Sequence, residues 1–381
     1  DTPQQNSYVF AYGFIVATMG LVVLPLESVR LYPQNHALFL GLLLGFSGVS
    51  QLISPFTGYL SDRCTASLGR RRPFMVGGAV LTLTFLYGMV WARSAKNGPL
   101  YSICLLLAIL GMNTTYAAYT ALLPDFVPPA SMGLGSGIMA FLSMAGSALG
   151  FLLFGFLLDV YWAYHCYAVV TFLALTITCC VCKEKPLAKP RPLKCKEILQ
   201  SYWIDSQTHR DFFWVFVVRT FYYMGVSVQA FILFFLRDVS KVHDPASATA
   251  LVAILGQLSA CSIAFPAGRL SDSVGRKPLV RLACLTMGTV YISFCVFPSR
   301  NAVLAAAAFY GLGNGTFLAV DYALAVDTIP DKEDYARLLG IWGVAAFLGS
   351  TIGPLCCGPL LYYTGSPTTD LETGHTSYHF V

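Results

Sequence analysis

Eleven apolar runs, each at least twenty residues long, follow one another along this 381-residue chain and limit its fold more than any single motif. They lie at Tyr8–Arg30, Ala37–Leu60, Pro73–Ala92, Leu100–Leu122, Met132–Leu158 and Trp162–Val181, then at Phe212–Leu236, Ser247–Leu270, Pro278–Phe297, Ala302–Val326 and Leu338–Tyr363. A helix of about 20 apolar residues crosses a bilayer, where every backbone polar group must be satisfied internally. With 56% apolar and 11% charged residues, the chain reads as an all-α, multi-pass membrane protein with the lipid bilayer as its solvent.

Punctuation between the runs divides the chain. Residues 1–182 predict an amino-terminal six-helix bundle, residues 183–211 a polar central linker, and residues 212–381 a carboxyl-terminal bundle of five helices plus the start of a sixth. Thr364–Val381 stays polar until its last few residues, so a twelfth helix would begin near Tyr378 and the chain reads as truncated there. Its start at Asp1, without Met, reads as a position inside a longer precursor or as a trimmed leader.

Charge placement sets an expected orientation. Seventeen Lys and Arg residues fall in the loops on one side and six on the other, so the positive-inside rule puts the amino terminus and the central linker in the cytosol. The net charge of +5 sits in these loops and forms no basic face with interleaved aromatics, which argues against nucleic acid as a partner. Twelve cysteines, mostly inside apolar runs and without ligand spacing, predict neither a disulfide framework nor a metal site. Cys179, Cys180 and Cys182, beside a predicted membrane exit, fit plain packing better than S-acylation. No nucleophile–base pair or phosphate loop appears, so the chain reads as a non-enzyme with no cofactor.

The two halves repeat. Gly58-Tyr-Leu-Ser-Asp62 recurs as Gly268-Arg-Leu-Ser-Asp272, and Gly69-Arg-Arg-Arg-Pro73 as Gly275-Arg-Lys-Pro278. Leu122-Leu-Pro-Asp125 answers to Leu324-Ala-Val-Asp327, while Gly137, Gly146, Ser147 and Gly150 precede Gly340, Gly349, Ser350 and Gly353 by 203 residues each. An offset spanning six helices gives both halves the same orientation, related by an axis along the membrane normal.

These paired loops resemble motif A of the major facilitator superfamily, between helices 2 and 3 and again between 8 and 9. The resemblance covers nearly the whole chain and implies two pseudo-symmetric six-helix bundles that work by alternating access. Gly58, Asp62, Arg63, Gly69, Arg70, Arg71, Gly268, Asp272, Gly275 and Arg276 are the expected gating residues. Gly permits close helix approach, Asp accepts from helix N-terminal amides, and the Arg cluster meets helix C-termini and lipid phosphates. Gly69 follows Asp62 by seven residues, against three in the second copy, and the stretch Gly58 to Phe74 resembles the loop of plant-type sucrose–proton symporters and their glycoside–cation relatives. Asn113 and Asp125 keep that cluster's spacing, but Thr120 stands where the sucrose carriers have Arg. The resemblance therefore implies proton symport of a sugar or glycoside. Alternatives are export of another organic solute and a transporter-like receptor that moves nothing.

Charges inside membrane helices are costly and point to function. Arg219 lies about 10 Å into helix 7 and Asp321 about 9 Å before the end of helix 10. They are expected either to form a buried ion pair that carries proton coupling, or to act separately, Arg219 snorkelling to phosphate and Asp321 serving a gate. Tyr12, Gln51, Asn113, Tyr116, Tyr119, Tyr222, Tyr223, Gln229, Gln257 and Asn314 offer hydroxyls, amides and ring faces suited to a small polar solute, and equally suited to helix packing. Glu27 and Arg30, one turn apart, predict an exposed pair at the outer end of helix 1. Asp125 and Asp327, each three residues before a Pro, predict helix boundaries.

Overall fold

A computed structural model describes residues 7–32, 36–154, 158, 160–182, 184, 202–227, 229, 232, 235–236, 239–243, 245–329, 335–364, 366–369 and 376–379. The apolar runs form helices α1 (Ser7–Leu31), α2 (Phe39–Asp62), α3 (Arg72–Ser94), α4 (Gly98–Phe126), α5 (Met132–Leu152) and α6 (Ala163–Val181). After the linker come α7 (Arg210–Ser227), α8 (Pro245–Val274), α9 (Arg276–Val296), α10 (Arg300–Asp327) and α11 (Tyr335–Thr364). Among the described residues, nine helices are long and apolar enough to cross a membrane. The described part of α7 falls short because it carries Arg210, Asp211 and Arg219, and α9 opens on Arg276, Lys277 and Arg281. Most of the expected linker, and most of the apolar run after Ser227, lie outside the described residues.

Packing repeats with the sequence. Within the first half α1 packs on α5, α3 on α4 and α2 on α4; within the second, α7 packs on α11, α9 on α10 and α8 on α10. Between the halves, α2 lies against α11 and α8 against α5. These inter-half seams are glycine-lined because packing in lipid depends on close backbone approach, not on expelling water. A Cβ on Gly268 would stand 2.5 Å from the Gly133 carbonyl oxygen and 2.6 Å from the Gly137 Cα. Tyr8, Met75, Tyr119 and Leu122 of one half join Tyr322, Leu338 and Trp342 of the other in one core at the end of the molecule that carries the motif loops, hereafter the latch end.

Local chemistry shapes two elements further. In α1, Pro25 supplies no N–H, and the turn before it, Met19–Val23, widens to a π-turn. Tyr378, near which a twelfth helix would begin, lies in a short strand. Ser366–Thr369 pairs antiparallel with Thr376–His379, Ser366 opposite His379. The two strands carry the β-branched Thr368, Thr369 and Thr376.

Candidate functional site

Each motif loop turns on a glycine at positive φ, Gly69 at 105° and Gly275 at 97°, a conformation that other residues adopt with strain. The turn swings the following arginine back over the aspartate that ends the preceding helix. In the first copy Arg71 donates to Asp62 at 2.5 Å and to Ser61 at 2.9 Å, with both ionic side chains fully buried. In the second, Arg276 donates to Asp272 at 2.7 Å and to Ser271 at 2.7 Å.

Those aspartates then reach into the opposite half. Asp62 accepts from the Arg337 amide at 3.2 Å, in the first turn of α11. Asp272 accepts from the Gly133 and Leu134 amides at 2.8 and 2.9 Å, in the first turn of α5. Leu134 and Arg337 are themselves 203 positions apart, so the two latches are the same device used twice in opposite directions. The first-turn amides of a helix lack intrahelical partners and carry the positive end of its dipole, which makes a carboxylate their natural partner.

Asp125 and Asp327 do more than mark helix ends. Asp125 accepts from Arg70 at 2.5 Å and from Arg71 at 3.4 Å, and Asp327 from Arg276 at 3.0 Å. Glu184, just beyond α6, accepts from the Arg71 and Arg72 amides at 2.9 and 3.1 Å. Burial holds its carboxyl above the ordinary carboxylate range, with the two amides opposing that shift. Nothing in the sequence pattern singled out Glu184. Arg63, expected in the gate, lies 3.7 Å over the Tyr59 ring and donates to the Tyr59 carbonyl at 3.3 Å.

Deeper between the halves, Arg219 of α7 and Asp321 of α10 form a buried ion pair. The Arg219 guanidinium lies 3.4 Å over the Trp342 ring and 4.9 Å from that of Tyr223, whose hydroxyl takes a second bond at 3.4 Å. Trp342 bears no mark in the sequence, since an aromatic in an apolar helix carries no distinguishing pattern. From the other half, Tyr12 and Tyr116 stack at 3.9 Å and sit within electrostatic range of Arg219 and Tyr223. Gln51 donates to Tyr12 at 3.1 Å, Tyr12 to Asn113 at 3.4 Å, and Asn113 to Ser50 at 2.8 Å. Tyr222 donates to Asn314 and stacks on Phe317 at 3.7 Å.

Three expected solute contacts lie elsewhere. Tyr119 is buried in the latch-end core with Leu122 and Leu123. Gln257 donates to the Met144 carbonyl at 3.4 Å, a bond between α8 and α5. Gln229 is exposed. At the far end Glu27 is buried and pairs with Arg93 at 2.7 Å, where an exposed pair with Arg30 was expected. Arg93 comes from α3, a tertiary partner that helical spacing cannot reveal.

The Major Facilitator Superfamily model matches this sequence over residues 8–256 and 215–369. The chain belongs to that superfamily. Its members are transport proteins of the membrane, not enzymes, and they move small solutes. The chain is 25% identical over 354 residues to a multi-drug resistance efflux pump of Streptococcus pneumoniae, covering 89% of this chain and 84% of that protein. It is 31% identical over 160 residues to proton-associated sugar transporter A of Mus musculus, covering 38% of this chain and 20% of that protein. Among solved structures, the human organic anion transporter MFSD10 superposes with a TM-score of 0.76 at 16% identity, over 95% of this chain and 92% of that one. A bacterial homologue of ferroportin gives 0.76 at 14% identity, over 95% and 93%. At such identities the likeness is one of fold.

Proposed function

We propose that this chain is a proton-coupled carrier of a small organic solute, a sugar or glycoside, working by alternating access between two bundles. The observation that carries this reading is the crossed pair of latches, Asp62 on α11 and Asp272 on α5. Both bonds join halves at one end, so both must break before that end opens. A static scaffold has no use for two such bonds. The excess of Lys and Arg at the latch end supports a cytosolic placement of that end, with the described state closed inward.

Coupling is assigned to Arg219 and Asp321. Charge so deep in a membrane protein is retained for work on solute or ion, and a carboxylate beside a movable arginine binds its proton tightly only when the arginine leaves. Tyr12, Asn113, Tyr116, Tyr222, Tyr223 and Asn314 surround this level with hydroxyls, amides and ring faces, which fit a sugar ring. The similarity to a proton-associated sugar transporter supports the same solute class. A second reading, efflux of an apolar organic solute, is favoured by the similarity to an efflux pump across most of the chain. Counterflow of hexoses and methyl glycosides in proteoliposomes, with and without a pH gradient, tests the first. Sugar-independent loss of a hydrophobic cation from loaded vesicles would replace it with the second.

A further inference from the structure

Charge balance around Arg219 restricts what the solute is. Among the described residues, Asp321 is the one carboxylate that pairs with Arg219. The other groups facing the pair are neutral: Tyr12 on α1, Tyr116 on α4, Tyr222 and Tyr223 on α7, Cys284 on α9 and Trp342 on α11. The Arg219 side chain is 6% exposed, and its Nε is buried without a hydrogen-bond partner, while Nη1 goes to Asp321 and Nη2 to Tyr223. A buried cationic donor with no acceptor is rare in native proteins and costly unless something fills it.

We propose that the solute is a ring bearing a carboxylate, a sugar acid in place of a neutral sugar, and that this carboxylate replaces Asp321 on Arg219 while Asp321 takes up a proton. The proposal rests on the proton-coupled reading above and sharpens its solute class. In the empty site Arg219 is positive and Asp321 negative, so the net charge is zero. In the loaded site Arg219 is positive, the solute carboxylate negative and Asp321 neutral, so the net charge is again zero. The carboxylate bonds Nε and an Nη together, the two-point geometry a guanidinium offers. The Asp321 proton comes from the side on which the solute enters and leaves with it on the other, so a turnover moves no net charge. A neutral ring fails this balance. Protonating Asp321 beside it strands Arg219 as an unpaired buried cation, and leaving Asp321 ionised removes the coupling. The Trp342 face, already over the guanidinium, and the stacked Tyr12–Tyr116 pair supply apolar walls for the ring.

The test uses the purified chain in unbuffered detergent solution, titrated with D-glucuronate, D-glucose and methyl glucoside while a pH electrode records proton exchange. D-glucuronate is expected to bind about tenfold or more tightly than D-glucose, the difference a charge-assisted pair supplies, and to draw one proton from solution per anion bound. In proteoliposomes its accumulation follows an imposed pH gradient and is indifferent to an imposed potential. Asp321→Asn is expected to lose both the proton uptake and the pH-driven accumulation. The wild-type proton count decides the matter alone if that variant does not fold. Binding of D-glucuronate without proton uptake overturns the proposal. Proton-coupled transport of neutral sugars that D-glucuronate does not inhibit overturns it while leaving the proton-coupled sugar reading intact. D-glucuronate counterflow that ignores pH overturns the coupling on which both rest, and a panel in which nothing binds or moves overturns both.

Discussion

The Asp62 carboxylate, at the end of α2, accepts from the Arg337 amide in the first turn of α11, across the seam between the halves. Asp272 repeats the contact with Leu134 in the first turn of α5. Since 203 positions separate Leu134 from Arg337, one duplicated sequence feature produces two bonds related by the pseudo-twofold axis. Neither half can rotate away while either bond holds.

Asp62→Asn is expected to weaken the first latch without unfolding the chain. It removes the negative charge that Arg71 and the α11 amide share. Loss of a hydrogen bond to a charged group is worth about 1.5–3 kcal/mol, a shift of about ten- to a hundredfold in the closed-to-open ratio. Spin labels on exposed Leu68 and Val274, at the same end but on opposite halves, read the change. A longer-distance population that grows in the variant is the expected outcome, and an unchanged distribution removes the latch from the mechanism.

Gly268→Val should produce the same shift by sterics alone. Its Cβ would stand 2.5 Å from the Gly133 oxygen and 2.6 Å from the Gly137 Cα, closer than packed atoms tolerate. Overpacking of this kind costs about 1–3 kcal/mol, charged here to the closed state. The Leu68–Val274 pair should again lengthen, and net transport should slow because closure becomes the difficult step. A variant that keeps the wild-type distance distribution would mean that α8 and α5 separate less than the latch requires.

Glu184 predicts a pH effect on stability. Its folded pKa is raised above the ordinary 4.5 by burial, so the folded chain holds this proton more tightly than the unfolded one. The resulting contribution is fully present below the unfolded value and is lost as pH rises through the folded value. Glu184→Gln, which mimics the protonated form, should melt with the wild type near pH 4 and at a higher temperature than it as pH rises. A difference that is constant over that range, or opposite in sign, contradicts the assignment.

Helices, duplication and latches were legible because each leaves a local mark. Spanning helices declare themselves by apolar length, and the Gly58–Asp62 and Gly268–Asp272 segments by their repetition. Arg219 and Asp321 were visible as charges where charge is costly. Trp342, Glu184 and the Glu27–Arg93 pair were not, since their importance lies in partners distant along the chain. Gln257 and Tyr119 show the converse: polar groups at central depth that the fold spends on the α5 backbone and on the latch-end core.

The Arg219–Asp321 pair offers a test of the coupling between its two charges that needs no solute. Removing one member of a buried pair leaves the other charge uncompensated, at a cost of about 3–5 kcal/mol, whereas removing both leaves no stranded charge. Arg219→Gln and Asp321→Asn should therefore each lower the unfolding temperature, and the double variant should recover most of the loss. Arg219→Gln should be the more damaging single change, because it also surrenders the cation–π contact with Trp342, worth about 2 kcal/mol when desolvated. Replacing Trp342 with Phe isolates that share: the substitution should destabilise the wild-type background more than the Arg219→Gln background. Strict additivity of Arg219→Gln and Asp321→Asn would mean that each charge has another partner, and the charge-balance argument for the solute would fall with it.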